Sequence, residues 1–212
     1  MKILGNIPPA LTVALSGGVD SMVLLDFVLN GGRRSVKLAY FHHGTAHAED
    51  ALKFVTDLSK TLKIDLTVGR LEEQPPNGVS MEEFWRNARY KFLDSLPGPI
   101  ALAHHLDDVI ETWIFSALHG RPKLIPYRRN ACFRPFLTVK KSEILEWAKK
   151  NRVPYIEDPS NANANCGYVR NHIRHNIVPE ALKVNPGLHK VMRRLVEEKH
   201  RNSFGDDVVL KK

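Results

Sequence analysis

Cysteine is almost missing from this 212-residue chain, with only Cys132 and Cys166 present. They lie too far apart for a CxxC pair, which excludes a disulfide-stapled scaffold and a cysteine zinc site. Long apolar runs are missing too. None approaches the ~20 residues that a membrane span needs. Pro8-Pro9 breaks the N-terminal segment before a secretory apolar region can develop. Neither common nucleotide-loop pattern occurs, because no Gly-Lys-Ser/Thr follows the glycines at 17 and 18 and no GxGxxG is present. Internal repeats and low-complexity tracts are also lacking. These absences leave the expectation of a cytoplasmic protein from a reducing compartment, with no membrane partner.

What is present supports an ordinary globular core, at 43% hydrophobic and 25% charged residues. At ~150 residues per domain, the length allows one full domain and part of a second. The formal charge of +8 is unevenly spread. Residues 1–120 carry 11 basic and 14 acidic side chains, a net of −3, and residues 121–212 carry 20 and 9, a net of +11. Such a field attracts polyanions, although a solvated basic surface kept for solubility has the same composition. Charge alone makes nucleic acid admissible and nothing more.

Apolar runs at Leu11–Leu15, Val36–Phe41, Asp65–Val68 and Ile100–Ala103 read as strands, with Val153–Ile156 as a further candidate. Helical spacing follows most of them: Met22 to Leu29 up to Gly31-Gly32, then Leu52, Val55, Leu58 and Leu62, then a helix through Tyr90 opened by a Ser80/Glu83 capping box. Another helix carries the stripe Leu106, Val109, Ile110, Trp113, Ile114 and Ala117. Pro75-Pro76-Asn77-Gly78 marks a loop, and residues 119–134 read as a basic loop. Helices are expected again around Ile144–Trp147, over Val169–Leu182 and over Leu188–His200, before a loose tail from Asn202. Strands alternating with helices of this length predict an α/β fold: a Rossmann-like parallel sheet of about five strands with helices on both faces, plus a C-terminal helical extension.

Three groups of residues carry candidate chemistry. Ser16-Gly17-Gly18-Val19-Asp20-Ser21 stands where a strand gives way to a helix. Glycines there let backbone amides approach an anion at the helix's positive end. Asp20 would repel phosphate directly, so a carboxylate at this point makes sense with Mg²⁺ between the two; the plain alternative is a Gly-Gly turn with Asp20 capping the helix. The second group is His104-His105-Leu106-Asp107-Asp108, continuing to Glu111. At ~100° per residue its three acids share one arc. They are ordinary first-turn acids facing water, or a site for Mg²⁺ or a substrate ammonium, or part of a His/Asp transition-metal site. In open parallel sheets ligands gather beyond the carboxyl ends of strands, where both groups begin. Third, Arg170 and Arg174 sit four residues apart, spaced to present two guanidiniums to phosphate or to pair with Glu157 or Asp158.

The hexapeptide SGGVDS is similar to the pyrophosphate loop of the N-type ATP pyrophosphatases, or PP-loop enzymes, of the adenine nucleotide alpha hydrolase-like fold. Those enzymes release pyrophosphate from ATP and pass AMP to a substrate oxygen. Further along, HHG at 42–44, RNARY at 86–90, AHHLDDVIET at 103–112, RPFL at 134–137, and EDPSN with RNHIRH ending at Pro179 follow one another in the order seen in tRNA(Ile)-lysidine synthetases. The chain resembles the catalytic domain of that family over roughly residues 11–187. The resemblance implies a PP-loop catalytic domain at 1–182 and a helical or flexible tail at 183–212, without the family's usual C-terminal tRNA-binding domains. It implies ATP on Ser16, Gly17, Gly18, Val19, Asp20 and Ser21 with His43 and His104, and Mg²⁺ on Asp20. L-lysine would be held by Asp107, Asp108 and Glu111, and ATP or tRNA(Ile) by Arg86 and Arg89. Catalysis would fall to Asp20, Asp108, Glu111, Arg170 and Arg174. The reaction implied is adenylation of the wobble cytidine of a CAU-anticodon tRNA, followed by replacement of AMP with lysine. Alternatives from the wider resemblance are another PP-loop ligase, such as an RNA thiolase, or a non-catalytic tRNA-binding descendant. Two local departures stand out: Ala117–Lys123 replaces a glycine-rich stretch, and Thr45-Ala46 replaces a Leu-Arg. The stripe Leu188, Val191, Leu195 and Val196 either supports a homodimer or folds back on its own domain.

Overall fold

Leu11–Leu15, the apolar run between two prolines and two glycines, lies at the heart of the sheet. The computed structural model describes residues 1–73, 78–157 and 169–204. Pro75, Pro76, Asn77, the Asp158–Asn161 part of the EDPSN motif, Cys166 and the tail from 205 lie outside the described residues.

Strand β1 (Ala10–Leu15) leads through the glycine loop into α1 (Val19–Asn30), then β2 (Ser35–His42), α2 (Ala46–Leu62), β3 (Leu66–Arg70) and α3 (Met81–Asp94). The chain continues with β4 (Ile100–Ala101), α4 (Leu106–Leu118), β5 (Arg128–Arg129), β6 (Cys132–Phe133) and α5 (Lys141–Asn151). It ends in α6 (Val169–His172), a π-helical turn (Ile173–Ile177), α7 (Val178–Val184) and α8 (Leu188–Phe204). The strand order is β3-β2-β1-β4-β6-β5. Every pair is parallel except β5 with β6.

The expected α/β sheet is present with six strands. Its far edge differs from expectation in an instructive way. Val153–Ile156 is not a strand; Val153 N–H donates to the Ala148 carbonyl of α5 at 3.0 Å, and Ile156 N–H donates to the Gly17 carbonyl at 3.0 Å, which pins the chain onto the glycine loop. The extra strands come instead from the basic stretch read as loop. Asn130, at φ 53°, turns the chain between β5 and β6. Arg134, only 1% exposed, donates to Tyr90 Oη at 2.7 Å and to the Pro126 carbonyl at 2.8 Å. Each terminal nitrogen of this buried guanidinium thus has an acceptor, while its Nε has none among the described residues.

Helix α1 buries Met22, Val23, Leu24, Leu25 and Val28. It is fixed to α5 by Trp147, whose indole N–H donates to Asp26 at 2.7 Å while its ring lies 5.4 Å from Phe27. Ser80 caps α3 by accepting the Glu83 amide at 3.2 Å, as the capping pattern predicts. In α8, Met192 and Val196 are buried and Leu188 and Leu195 pack against the main core. That stripe therefore folds back onto its own domain. No described helix is long and apolar enough to cross a membrane.

Candidate active site

Strand order reverses between β1 and β4, so the helices after them leave a crevice at their carboxyl ends. A cleft of about 660 Å³ opens there. Ser16, Gly18, Asp20 and Ser21 line it at one end, Asp108 and Lys141 at the side, and His43, Arg89 and His104 toward α3.

The glycine loop is held by its own serines. Ser21 Oγ donates to the Gly18 carbonyl at 3.0 Å and accepts the Ser16 amide at 3.1 Å, and Ser16 Oγ accepts the Gly18 amide at 3.3 Å. Gly17 has φ +81°, and a Cβ there would meet the Ile156 side chain at 3.1 Å, so both backbone freedom and close packing call for glycine. Gly18 precedes the first turn of α1, aiming that helix's positive end at the cleft. Asp20 follows in that turn and accepts from Lys141 Nζ at 2.6 Å.

Helix α4 brings the acids to the same place. Asp108 Oδ2 accepts the His105 amide at 2.9 Å, capping the helix. The His105 ring, 5% exposed, lies among three carboxylates: Nε2 is 3.7 Å from Asp20 and 3.6 Å from Asp108, and Nδ1 is 3.7 Å from Asp107. Thus the glycine loop and the acidic helix meet across one imidazole. Asp107 faces the other way. It accepts the Lys141 amide at 2.8 Å and pairs with His189 Nε2 of α8 at 3.0 Å. Burial alone would raise its pKa, but these donors and the His105 ring outweigh burial and hold it at about 2. It ties α4, α5 and α8 together.

Glu111 is not at the water-facing edge of the acidic arc. Only 4% exposed, it receives a forked bond from Arg174, Nε to Oε1 at 2.6 Å and Nη2 to Oε2 at 3.0 Å, and Arg174 Nη2 also reaches Asp108 at 3.5 Å. Burial raises the Glu111 pKa, opposed by Arg174. For Arg174, burial opposes the charge but Glu111 and Asp108 more than compensate, and its pKa is raised. Arg174 therefore pairs with α4 and not with Glu157, which lines the cleft. Arg170 lies toward Arg86 and helps depress its pKa, burial of Arg86 being the larger cause. Tyr90 sits amid these cations, with Arg129 4.0 Å, Arg86 5.4 Å and Arg89 5.8 Å from its ring centre.

At the α3 end, His43 is pushed down to about 4 by burial and by the Arg89 and His42 charges. His104 lies far below its ordinary value for the same reasons, with Arg134 and Arg89 beside it. Both rings are neutral at pH 7, hydrogen-bonding groups without charge. The structure thus brings Ser16 to Ser21, His43, Arg89, His104 and Asp108 onto one cleft, with Glu111 and Arg174 behind it and Asp107 turned to the helices. Among the described residues no three of His, Cys, Asp and Glu are grouped to hold a metal ion. Mg²⁺ needs no such cage, since one or two carboxylates and phosphate oxygens suffice, and Asp20 at the mouth of an anion-binding loop fits that donor set. Sequence reading did not find Lys141 or His189, and it placed His105 in the acidic group without its position between Asp20 and Asp108. Lys140-Lys141 looks like any solvated pair, and only its place, after RPFL and opening a helix, hinted at the sheet's upper edge.

Comparison with known proteins agrees with this geometry. The family profile described as a PP-loop domain matches residues 5–181. The chain is similar to the tRNA(Ile)-lysidine synthase of Thermotoga maritima, at 35% identity over 208 residues, covering 89% of this chain and 49% of that protein. It is also similar to the tRNA(Ile)-lysidine synthase of Neisseria gonorrhoeae, at 35% over 182 residues, covering 79% and 40%. The chain spans about half the length of the curated relatives it matches. Among solved structures, the tRNA thiolase NcsA of Methanococcus maripaludis shares the fold with a TM-score of 0.70 at 16% identity, covering 91% of this chain and 73% of that one.

Proposed function

The chain belongs to the PP-loop domain family, and from that premise we propose that it is the catalytic part of a tRNA(Ile)-lysidine synthase. In this reading ATP occupies the cleft with its phosphates on Ser16 to Ser21, and His43 and His104 border the nucleotide. The observation that carries the proposal is the shared cleft: Asp20 of the nucleotide loop and Asp108 of the acidic helix both line it and both lie within 3.7 Å of His105 Nε2. A base adenylated at the loop end and an amine held at the acidic end need such proximity.

The carbonyl oxygen of the wobble cytidine attacks the α-phosphorus, the bond to pyrophosphate breaks, and the base becomes adenylated. The neutral side-chain amine of L-lysine then attacks the ring carbon bearing the adenylate. AMP leaves with that oxygen, and the amine loses a proton. Asp108, the more open of the two inner acids at 19% against 4% for Glu111, receives the ammonium and then its proton. Glu111 adds negative charge behind it and holds Arg174. Arg170 and Arg174 offset charge growing on the phosphates and on the departing AMP. Mg²⁺ bound at Asp20 would supply charge neutralisation for the leaving pyrophosphate. Arg86, Arg89 and the basic surface after residue 120 serve the tRNA backbone, an attraction that weakens steeply with salt.

Incubation of the purified protein with ATP, labelled L-lysine and a tRNA(Ile) bearing a CAU anticodon tests the reading. Lysine incorporation matched by AMP release, with lysidine found by mass spectrometry of the digested RNA, is the expected result. Transfer of a different amine, or sulfur in place of lysine, would overturn it.

A further inference from the structure

The cleft has an ion pair whose purpose lies beyond packing. Lys141 Nζ bonds Asp20 at 2.6 Å, across 121 residues of sequence, with the side chains 35% and 31% exposed. A surface pair of this kind contributes little to stability, yet this one sits at the mouth of the phosphate loop. The lysine is also placed with care: its backbone amide is fixed by Asp107 at 2.8 Å, and Asp107 in turn by His189. The fixed charges lining the cleft are Asp20, Asp108 and Glu157 against Arg89 and Lys141. The wall is thus net negative where a polyanion is to bind, and Arg89 stands at the α3 end.

We propose that Lys141 is a phosphate-binding residue that alternates between two partners, holding Asp20 in the empty protein and passing to a nucleotide phosphate oxygen when Asp20 takes up a divalent cation. This rests on the ATP reading above. The chemistry suits lysine: a compact charge on a flexible stem, with three rotatable donors. While paired, the ammonium occupies a carboxylate that would otherwise attract free divalent cation. Once released, it compensates the phosphates for hydration they lose as they leave water. Lys141 thereby couples metal and nucleotide binding, disfavouring either alone.

Two binding titrations on the intact protein test this, neither requiring turnover. Losing one charge-assisted contact should weaken ATP binding at saturating Mn²⁺ about 10- to 100-fold for Lys141→Met, while Lys141→Arg stays within about 5-fold of wild type. Binding of Mn²⁺ alone, followed by the electron paramagnetic resonance signal of the free ion, should tighten by about 10-fold in Lys141→Met. Lys141→Gln provides a second neutral variant, and the circular dichroism melt identifies any that fails to fold. Wild-type affinity for both ligands in a folded neutral variant would overturn the proposal, as would weaker Mn²⁺ binding, the mark of a merely structural pair. Failure of the wild-type protein itself to bind ATP would instead remove the nucleotide reading, and the Mn²⁺ titration would still decide whether Lys141 shields Asp20.

Discussion

Individual carboxylates at this site owe their behaviour to what each side chain touches. Asp107 and Asp108 are neighbours in sequence, yet one ties helices together and the other lines the cleft. Asp107 is held at about 2 against an unfolded value of 3.8. A carboxyl with a depressed folded pKa contributes stability that is complete above the unfolded value and disappears as pH falls through the folded one. The window here runs from pH 3.8 down to about 2, and the contribution is ~2 kcal/mol at neutral pH. Asp107→Asn should therefore lower stability at pH 7 by that order and flatten the loss between about pH 4 and 2. Urea titrations across that range check it; an unchanged acid limb would mean that the His189 and Lys141 bonds do not set the carboxyl. At this scale the sequence was only partly readable. Ser16 to Ser21 could be recognised because glycine, hydroxyl and carboxylate chemistry sit together in one hexapeptide. Lys141 and Asp20, or Glu111 and Arg174, could not be paired in advance, because their contacts join residues 121 and 63 positions apart.

Elements show a similar division. Strand β1 and helix α1 were legible as apolar runs on either side of the glycine pair, and helix α4 because its apolar stripe writes a helical period into the chain. The β5/β6 hairpin was not, because Arg128, Arg129 and Arg134 give it the composition of a solvated loop, and only Tyr90 and Pro126, far away or around a turn, make burial of Arg134 acceptable. The π-helical turn was equally hidden. Val178 N–H reaches back five residues to the Ile173 carbonyl, and Pro179 next to it has no N–H to offer His175 and would crowd that carbonyl in a regular helix. The wider turn relieves this, and it contains Arg174. Pro179→Ala restores the donor and lets the helix tighten, a register change of about 100° per residue that would carry Arg174 away from Glu111. We expect lysine transfer to fall at least ~10-fold, as loss of a charge-assisted fork implies, without a drop in Tm. Unchanged transfer in the melted and assayed variant would show that the wide turn does not set the arginine's register.

Taken whole, the molecule separates its charges: Asp20, Asp107, Asp108 and Glu111 lie on the half with a net of −3, and the half with a net of +11 brings Lys141 and Arg174 to them. The cleft forms at the strand-order reversal, where those halves meet, and three acids facing it or behind it rest on a cation from the basic half: Asp20 on Lys141, Glu111 and Asp108 on Arg174. The proposed function requires one cleft to perform adenylation at its loop end and amine transfer at its acidic end. Asp108→Asn tests that most directly, since the amide can still cap α4 while its charge is gone. Measured side by side, tRNA-dependent ATP–pyrophosphate exchange should stay within about 10-fold of wild type while lysine transfer falls by at least ~100-fold, as expected when a general base and its ammonium site are both lost. Lysine transfer at the wild-type rate, or exchange and transfer falling together by the same factor, would contradict it.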